Sequence, residues 1–342
     1  MRHRLREWLI NGAVLAITLG FLLLVSEIGL RVYEARLMKG PRGSEGDGLR
    51  RDVVLDNTLF HQPDQPVPSA WDSRGESVLH IRSSNPRLVY ELRPHASLLN
   101  GLISINGSGF RDREFEIPKP VGVHRILVVG DSITFGWFEQ VDQTYPKVLE
   151  RLLNQDGAKA RRIDVCSLAV GGYNAAQELE LIKTKALPLQ PDLIILGACV
   201  NDGEIGNDAG LWRHFTRSRL RTYDFLRLRW MRVYWMLRHE DIVETAYEEL
   251  AAWSREHHLP ALVVAFPGRN AEGGVDPRGA ELIDKARRHA LPTLDLSDAY
   301  RRCGLEKALH EDGLHPTQIG YSVAATEIAR YLRENLSAQL GL

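Results

Sequence analysis

The sequence has few cysteines, almost no net charge and none of the common nucleotide-binding patterns, and each absence excludes a class of protein. Its three cysteines form no Cys-x-x-Cys pair and predict no metal site, so we expect Cys166, Cys199 and Cys303 to be buried apolar side chains. The formal net charge of −1 gives no overall attraction to nucleic acid. Gly-x-Gly-x-x-Gly and phosphate-loop patterns are missing from the strand-to-turn stretch described below. We therefore expect no metal, no cofactor and no nucleic-acid partner.

The composition is that of a globular protein. The chain has 342 residues, of which 44% are hydrophobic and 25% are charged. This length is ample for one sizeable α/β domain with additional segments. The oligomeric state is left open by these values.

An uncharged segment near the N-terminus predicts a membrane-spanning helix. Three arginines precede the stretch Trp8–Ser26, whose 19 residues carry no charged side chain. A helix of this length covers roughly 28 Å, close to the hydrocarbon thickness of about 30 Å. We expect residues 1–30 to be an uncleaved signal anchor, because no small-x-small cleavage pattern follows Ser26. A cleaved signal peptide and a buried core helix are the alternatives.

The orientation of this segment is only weakly encoded. Basic residues lie on both sides of it, so the positive-inside rule barely distinguishes the two orientations. A short tail followed by a large domain is the common signal-anchor arrangement, so we expect a single-pass protein of the cell membrane with its main domain in the periplasm. At the end of the segment, Glu27 can pair with Arg31 four residues later.

Residues 31–77 are predicted to be a linker, and residues 78–120 an irregular β-rich extension. The linker is rich in Gly, Pro, Asp, Ser and Arg and has no clear periodicity. In the extension, short apolar runs alternate with turn residues such as Asn106-Gly107. The main domain then occupies residues 121–342, with an insertion at about 205–245.

The main domain alternates between strand and helix patterns, which indicates a parallel sheet with helices on both faces. Helices are predicted at Tyr145–Asn154, 175–187 and 318–336. The predicted strands are Ile126–Val129, Ile163–Leu168, Leu193–Gly197, Ala261–Phe266 and 293–296.

The first of these strands leads directly to a candidate nucleophile. The four branched apolar residues Ile126–Val129 suit a strand covered on both faces, and Gly130 permits the turn that ends it. Reactive groups in open parallel sheets lie at the carboxyl ends of strands, so we expect Ser132 to point into the crevice there. A plain helix start fits the same residues, because Asp131 and Ser132 are both good N-cap residues.

Downstream residues supply the other groups that a nucleophilic serine requires. A serine hydroxyl is a poor nucleophile, so His315 would take its proton while Asp312 holds the imidazole in the correct tautomer. The backbone N–H groups of Ser132 and Gly172 and the side-chain amide of Asn201 can donate to an oxyanion. Each residue taken singly also fits a turn or helix-start role, but all of them in this order favour one site.

Two further residues compete with this assignment. His310 is a rival base, which we consider weaker because Asp312 and His315 form a carboxylate–imidazole set of their own. Gly171 directly precedes Gly172, so the backbone N–H of either glycine fits the oxyanion hole.

This set of residues resembles the SGNH hydrolases, also called GDSL-type esterases, over roughly residues 120–340. The resemblance implies Ser132 as nucleophile, His315 as base and Asp312 as its orienting carboxylate. It implies an oxyanion hole formed by Ser132, Gly172 and Asn201. The third block departs from the usual Gly-x-Asn-Asp, because Gly197 stands four residues before Asn201. The matching blocks, in chain order, are Gly130-Asp131-Ser132, Gly172, Asn201-Asp202 and Asp312-x-x-His315.

The family resemblance also implies a fold and a reaction. The expected fold is a flavodoxin-like three-layer α/β/α sandwich around a mainly five-stranded parallel sheet. The leading hypothesis is a membrane-anchored serine esterase that hydrolyses small acyl esters, acetyl among them, of an envelope glycan or lipid. One alternative is an O-acyltransferase that uses the same site on a cell-envelope polysaccharide, and another is a non-catalytic envelope assembly component.

The insertion contains an unusual mixture of arginine and aromatic residues. Residues 213–238 include eight arginines and the single acid Asp224. Apolar stripes at helical spacing fit a helix that packs on two sides. A lid beside the crevice, or a segment that rests on anionic lipid, fits the same pattern. Unchanged ester turnover and lipid binding after deletion of this segment would exclude the lid and the lipid contact.

Overall fold

The structure is a computed structural model, and it divides the chain into two compact units. The first unit comprises Met1–Asp52 and Gly210–Glu240, and the second comprises Val53–Ala209 and Asp241–Leu342. The predicted domain boundaries at 30, 77 and 120 stay predictions. The described residues are 2–37, 77–155, 162–204, 220, 222, 223, 226 and 241–337.

The described part of the first unit includes a long N-terminal helix, α1, from Arg2 to Leu37. Its segment Ile10–Val32 has 23 residues and is long and apolar enough to cross a membrane, and it is the one such segment within the described ranges. The side chains of that segment are not buried, which argues against the buried core helix considered above. A signal sequence at this position would have the same character.

The C-terminal part of the apolar segment carries a small polar cluster. Arg31 Nε donates to Glu27 Oε1 at 2.7 Å, as expected from their spacing. The other carboxylate oxygen of Glu27 accepts hydrogen bonds from Thr222 N at 2.9 Å and Thr222 Oγ1 at 3.1 Å. Apart from four positions between 220 and 226, the 213–238 segment lies outside the described residues, so its helical interpretation stays a prediction.

The second unit begins with two small antiparallel ribbons. Strand β1 (His80–Arg82) pairs with β2 (Tyr90–Leu92), and β3 (Ser97–Leu98) pairs with β4 (Ile103–Ser104). These short strands occur where the sequence predicted irregular β structure. Residues 38–76, most of the predicted linker, lie outside the described residues.

A five-stranded parallel sheet forms the centre of the second unit, with the order β6-β5-β7-β8-β9. The chain runs from β5 to one neighbour, β6, and returns to the other side of β5 as β7. This reversal leaves a crevice outside the carboxyl ends of β5 and β7. The predicted parallel sheet is therefore confirmed. Its strands are β5 (Val123–Gly130), β6 (Arg162–Ala169), β7 (Leu193–Ala198), β8 (Ala261–Ala265) and β9 (Thr293–Asp295).

Helices cover both faces of the sheet, as expected for a three-layer sandwich. Alternate residues of the strands face opposite sides, so Ile126 and Val128 contribute to one core cluster with α3 and α9. The helices α4, α5 and α6 pack together in the other layer. The helices are α2 (Ser132–Phe135), α3 (Tyr145–Asn154), α4 (Ala175–Leu181), α5 (Ile242–Glu256), α6 (Arg278–Arg288), α7 (Ser297–Cys303), α8 (Leu305–Ala308) and α9 (Gln318–Asn335).

Three details differ from the sequence-based expectations. Strand β5 starts at Val123 rather than at Ile126, because the charged Arg125 is fully buried through a 2.9 Å ion pair with Asp164. Helix α4 ends at Leu181 and continues as one π-helical turn to residue 186. Within that turn the Thr184 hydroxyl donates to the Glu180 carbonyl, a bond that competes with the helical ladder. Cys303 is only half-buried, whereas the other two cysteines are buried as predicted.

Gly130 and Gly197 leave space for a buried hydroxyl pair under the crevice. The two glycines are register partners on β5 and β7. The hydroxyls of Thr134 and Tyr145 form a 2.8 Å hydrogen bond directly against them. A Cβ added at Gly197 would lie 2.5 Å from Tyr145 Oη and 2.7 Å from Thr134 Oγ1. Gly197 is therefore required for close packing rather than for a turn.

We expect Gly197→Ala to lower the free energy of unfolding by about 1–3 kcal/mol, because the added methyl group overpacks a buried contact. Denaturant unfolding of the full-length protein in detergent measures this loss. Gly279→Ala in α6 is the matched control, since the nearest atom to its Cβ is 3.9 Å away. A Gly197→Ala variant as stable as the control would contradict the close-contact explanation.

Candidate active site

Ser132 lies immediately after β5, at the first residue of the short helix α2. The Asp131 side chain caps this helix by accepting a hydrogen bond from Ile133 N at 2.9 Å. The N-cap interpretation of the Asp131 side chain is therefore correct, but it does not consume the serine hydroxyl. Ser132 is 8% exposed, so its hydroxyl lies at the crevice rather than on an open surface.

The structure brings Ser132, His315 and Asp312 into one hydrogen-bonded row. Ser132 Oγ and His315 Nε2 are 2.9 Å apart, although the two residues are 183 positions apart in the sequence. The other ring nitrogen, His315 Nδ1, lies 2.6 Å from Asp312 Oδ2. A hydroxyl, an imidazole and a carboxylate in this order can move a proton from the hydroxyl to the ring while the carboxylate stabilises the resulting imidazolium.

Asp312 also fixes the loop that carries the histidine. Its Oδ1 accepts hydrogen bonds from Leu314 N at 2.9 Å and from His315 N at 3.0 Å. Burial would raise the pKa of Asp312, but the hydrogen bond and charge of His315 and these two amides outweigh burial and lower the pKa to about 2. The carboxylate is therefore ionised wherever the imidazole has to accept a proton.

His310 is not placed to act on Ser132. Its Nε2 lies 3.1 Å from Glu139 Oε1, on the loop that follows α2. This interaction occupies the ring nitrogen that a base would use. The geometry therefore favours His315 over His310 as the partner of Ser132, as the sequence predicted.

Gly172 and Asn201 follow β6 and β7, the two neighbours of β5. Gly172 has a φ of +78°, a left-handed conformation that favours glycine, whereas Gly171 lies against Trp137. Asn201 Nδ2 donates to Asp131 Oδ2 at 3.1 Å, and Ser132 Oγ lies 3.3 Å from the same oxygen. The amide of Asn201 and the serine hydroxyl therefore both lie against one carboxylate oxygen, which places them close together.

The longer third block puts a cysteine where the common pattern has glycine. Cys199, two residues before Asn201, is fully buried. Its Sγ lies 3.3 Å from Asp131 Oδ2 and 3.1 Å from Asp202 Oδ1. Burial, followed by the nearby charges of Asp131 and Asp202, raises the pKa of this thiol well above its usual value. The thiol therefore stays protonated, and it contacts the carboxylates of both Asp131 and Asp202.

Asp202 and a further acid, Glu178, are fully buried. Asp202 is tied to its own turn by Cys199 N at 3.0 Å, and Glu178 on α4 makes no hydrogen bond through either carboxylate oxygen within the described part of the chain. Ala175 N donates to Asp202 O at 3.1 Å, so the first turn of α4 sits against this turn. Burial raises the pKa of Glu178 well above its ordinary value, and the charges of Asp202 and Asp131 raise it further.

Among the described residues, one group of side chains has the spacing to hold a cation. Ligand atoms of Asp131, Cys199 and Asp202 all lie within 4.8 Å of one another. All three side chains are buried, and Asp131 Oδ2 already accepts a bond from Asn201 and lies 3.3 Å from Ser132 Oγ. The expected absence of a metal stays a prediction.

Sequence reasoning missed the residues that support the site from outside its motifs. Arg111 is buried, and its guanidinium donates to the carbonyls of Phe135, Gly136 and Glu139 at 2.7–3.1 Å. Glu178 and Glu139 were also missed. None of these residues lies in a recognisable motif, and a single charged residue in a loop or helix normally indicates a solvated surface.

We expect Glu178→Gln to stabilise the protein increasingly as the pH rises above the ordinary glutamate pKa of about 4.3. Above that pH the unfolded wild-type chain releases a proton that the folded state keeps, so wild-type stability falls until the folded-state pKa is reached. The uncharged glutamine removes this loss. Urea unfolding at a series of pH values between 4 and 8 measures the difference.

The exposed Glu248→Gln on α5 is the control, because it removes the same charge from a solvated position. A stability difference between Glu178→Gln and the wild type that does not change with pH would contradict the raised pKa of Glu178.

Three similar solved structures are a lipase/acylhydrolase from Enterococcus faecalis (20% identity, 62% of this chain, 96% of that chain, TM-score 0.44), TesA (16%, 62%, 99%, 0.44) and the acetyl xylan esterase AlAXEase (16%, 61%, 99%, 0.42). No curated protein matches the chain. The profile of the GDSL-like Lipase/Acylhydrolase family matches residues 128–323. This match covers more than half of the chain and includes Ser132, Gly172, Asn201, Asp312 and His315, so the chain belongs to the GDSL-like lipase/acylhydrolase family of hydrolytic enzymes.

Proposed function

We propose that this protein is a membrane-anchored serine esterase that removes small acyl groups, acetyl among them, from an envelope glycan or lipid. The observation that carries the proposal is the row of hydrogen bonds from Ser132 Oγ to His315 Nε2 at 2.9 Å and from His315 Nδ1 to Asp312 Oδ2 at 2.6 Å. Family membership supports ester hydrolysis.

In the proposed mechanism, Ser132 Oγ attacks the ester carbonyl while His315 Nε2 takes the hydroxyl proton. Asp312 holds the ring and stabilises its positive charge. The imidazolium then protonates the leaving alcohol, which leaves an acyl group on Ser132. A water molecule, deprotonated by His315, releases the acid and restores the serine.

The oxyanion of the tetrahedral intermediate is assigned to donors from three loops. These are the backbone N–H groups of Ser132 and Gly172 and the side-chain amide of Asn201. The common neighbour Asp131 Oδ2 supports the nearness of Asn201 Nδ2 to the nucleophile. By comparison with other oxyanion holes, each donor is worth about 2.7–4 kcal/mol of transition-state stabilisation.

Aromatic residues next to the nucleophile support a small acyl group. The Trp137 indole lies against Gly171, the residue before Gly172, since a Cβ added at Gly171 would be 2.9 Å from Trp137 Nε1. The ring of Phe138 packs edge-on against His315 with 5.2 Å between ring centroids. Two half-buried aromatic rings therefore lie against residues next to the proposed oxyanion hole and base, which favours a short acyl chain over a long one.

We expect Ser132→Ala to lower the hydrolysis of a small aryl acetate by roughly 10³–10⁶-fold, and Asp312→Asn to lower it by roughly 10²–10⁴-fold. Ser132→Ala also prevents labelling by a fluorophosphonate. The exposed Ser322→Ala on α9 is the matched control and keeps both properties.

Three results would overturn the assignment. Turnover that appears only after a glycan acceptor is added would identify an O-acyltransferase instead. Labelling of a serine other than Ser132 would refute the nucleophile. A wild-type protein without turnover or labelling, whose cellular role survives Ser132→Ala, would identify a non-catalytic envelope component.

We expect the wild-type protein to stay in the membrane pellet after alkaline extraction with its N-terminus intact, and its main domain to be cut by protease added from the periplasmic side. Replacing Leu15 and Leu22 by arginine releases the protein, because each arginine at mid-membrane costs about 2.5–3.5 kcal/mol. The double alanine variant at the same positions is the control. An N-terminus that begins after Ser26 would show a cleaved signal peptide instead.

A further inference from the structure

The two loops that carry Ser132 and His315 are joined by a second carboxylate–imidazole contact outside the proposed catalytic row. We call residues 136–140, which follow α2, the nucleophile loop, and residues 309–316 the histidine loop. His310 Nε2 in the histidine loop lies 3.1 Å from Glu139 Oε1 in the nucleophile loop. This contact, the Glu139–His310 bridge, has no role in the proposed proton transfer.

The carboxylate side of the bridge is held rigidly. Glu139 is only 6% exposed, and Arg111 Nη2 donates to its backbone carbonyl at 2.8 Å. The same Oε1 atom that meets His310 also accepts a hydrogen bond from Gln318 N at 3.0 Å, at the first residue of α9. A single carboxylate oxygen of Glu139 therefore contacts both the histidine loop and the first residue of α9.

The imidazole side of the bridge is coupled to His315 through the backbone. His310 N donates to His315 O at 2.9 Å, and Gly313 N donates to His310 O at 2.9 Å. The backbone of His310 is therefore bonded directly to that of Gly313 and of His315, so a shift of His310 displaces both. These two backbone hydrogen bonds close the histidine loop into one turn, and the side chain of His310 connects that turn to Glu139.

Phe138 fills the space between the two imidazoles. Its ring lies edge-on to His310, with 5.1 Å between centroids, and edge-on to His315 at 5.2 Å. It adopts a φ of +75°, which is uncommon for a bulky residue and persists only where the surroundings hold it. The contacts of Glu139 on one side and of Arg111 with Gly136 O, at 2.7 Å, on the other supply that restraint.

From these contacts we propose that Glu139 and His310 are positioning residues, which hold the histidine loop at the distance where His315 Nε2 meets Ser132 Oγ. The proposal rests on the proposed serine esterase function. Proton transfer depends steeply on this distance, since a displacement of about 1 Å can lower a rate by about 100-fold. The bridge sets the distance without touching the substrate.

The test compares Glu139→Ala and His310→Ala with variants that keep a hydrogen bond. We expect each alanine variant to lower kcat for a small aryl acetate by about 10–100-fold, with KM changed less than about threefold, because the displaced group acts in the chemical step. Glu139→Gln keeps an acceptor and His310→Gln keeps a donor, so each recovers most of the loss. The double alanine variant loses no more than either single variant, because both remove the same contact.

The control is the matched pair of His289, which directly follows α6, and Glu244 on α5, whose interacting side-chain atoms lie 2.7 Å apart. The side chains of His289 and His310 are similarly exposed, at 20% and 22%. We expect His289→Ala to keep kcat within about twofold, since no catalytic loop depends on it. An equal loss of kcat in His289→Ala, or unchanged kcat in both Glu139→Ala and His310→Ala, would overturn the proposal, as would failure of the glutamine variants to recover activity.

Hydrogen exchange separates this proposal from the esterase function. In full-length protein in detergent, Glu139→Ala should speed amide exchange of residues 309–316, whereas Ser132→Ala should not. Faster exchange in Glu139→Ala together with an inactive wild type would refute the esterase while supporting the bridge. Wild-type exchange in Glu139→Ala would refute the bridge, whatever the activity of the enzyme.

Discussion

The 2.9 Å hydrogen bond between Ser132 Oγ and His315 Nε2 is the interaction on which the candidate site depends, and the fold of the second unit positions both of its ends. It joins the first strand of the sheet to a loop near the end of the chain, so every intervening element contributes to its length. The parallel sheet places Ser132 at the crevice, and helix α9 together with the loop before it brings the imidazole back over the same edge.

Polar groups in the interior maintain this arrangement as much as apolar packing does. Arg111 donates to three carbonyl groups in and next to the nucleophile loop, and Asp131 accepts bonds from Ile133 and Asn201. Glu178 and Asp202 are also buried, and burial raises the pKa of each well above its ordinary value. Buried acids that stay protonated avoid the energetic cost of several buried charges.

The sequence allowed the prediction of most of the sheet and of the residues in the proposed catalytic row, and particular residues show where it stopped. The apolar run Ile126–Val129 identified the central strand, but Arg125 concealed its beginning, because a charged residue normally marks the end of a buried strand. The ion pair with Asp164 that makes its burial possible is formed by a residue 39 positions away. Likewise, nothing near Glu139 in the sequence indicates its contact with His310, 171 positions later.

By itself the sequence determined the five strands, three of the helices, the apolar N-terminal segment and the short motifs that contain Ser132, Asn201, Asp312 and His315. These features depend on local periodicity and on residues a few positions apart, where covalent geometry limits the possible structures. Only the tertiary structure decided that Glu139 meets His310, that Gly197 serves close packing, and that Glu178 is buried. Such contacts depend on which loops converge at one sheet edge, and that convergence is a property of the whole packed chain.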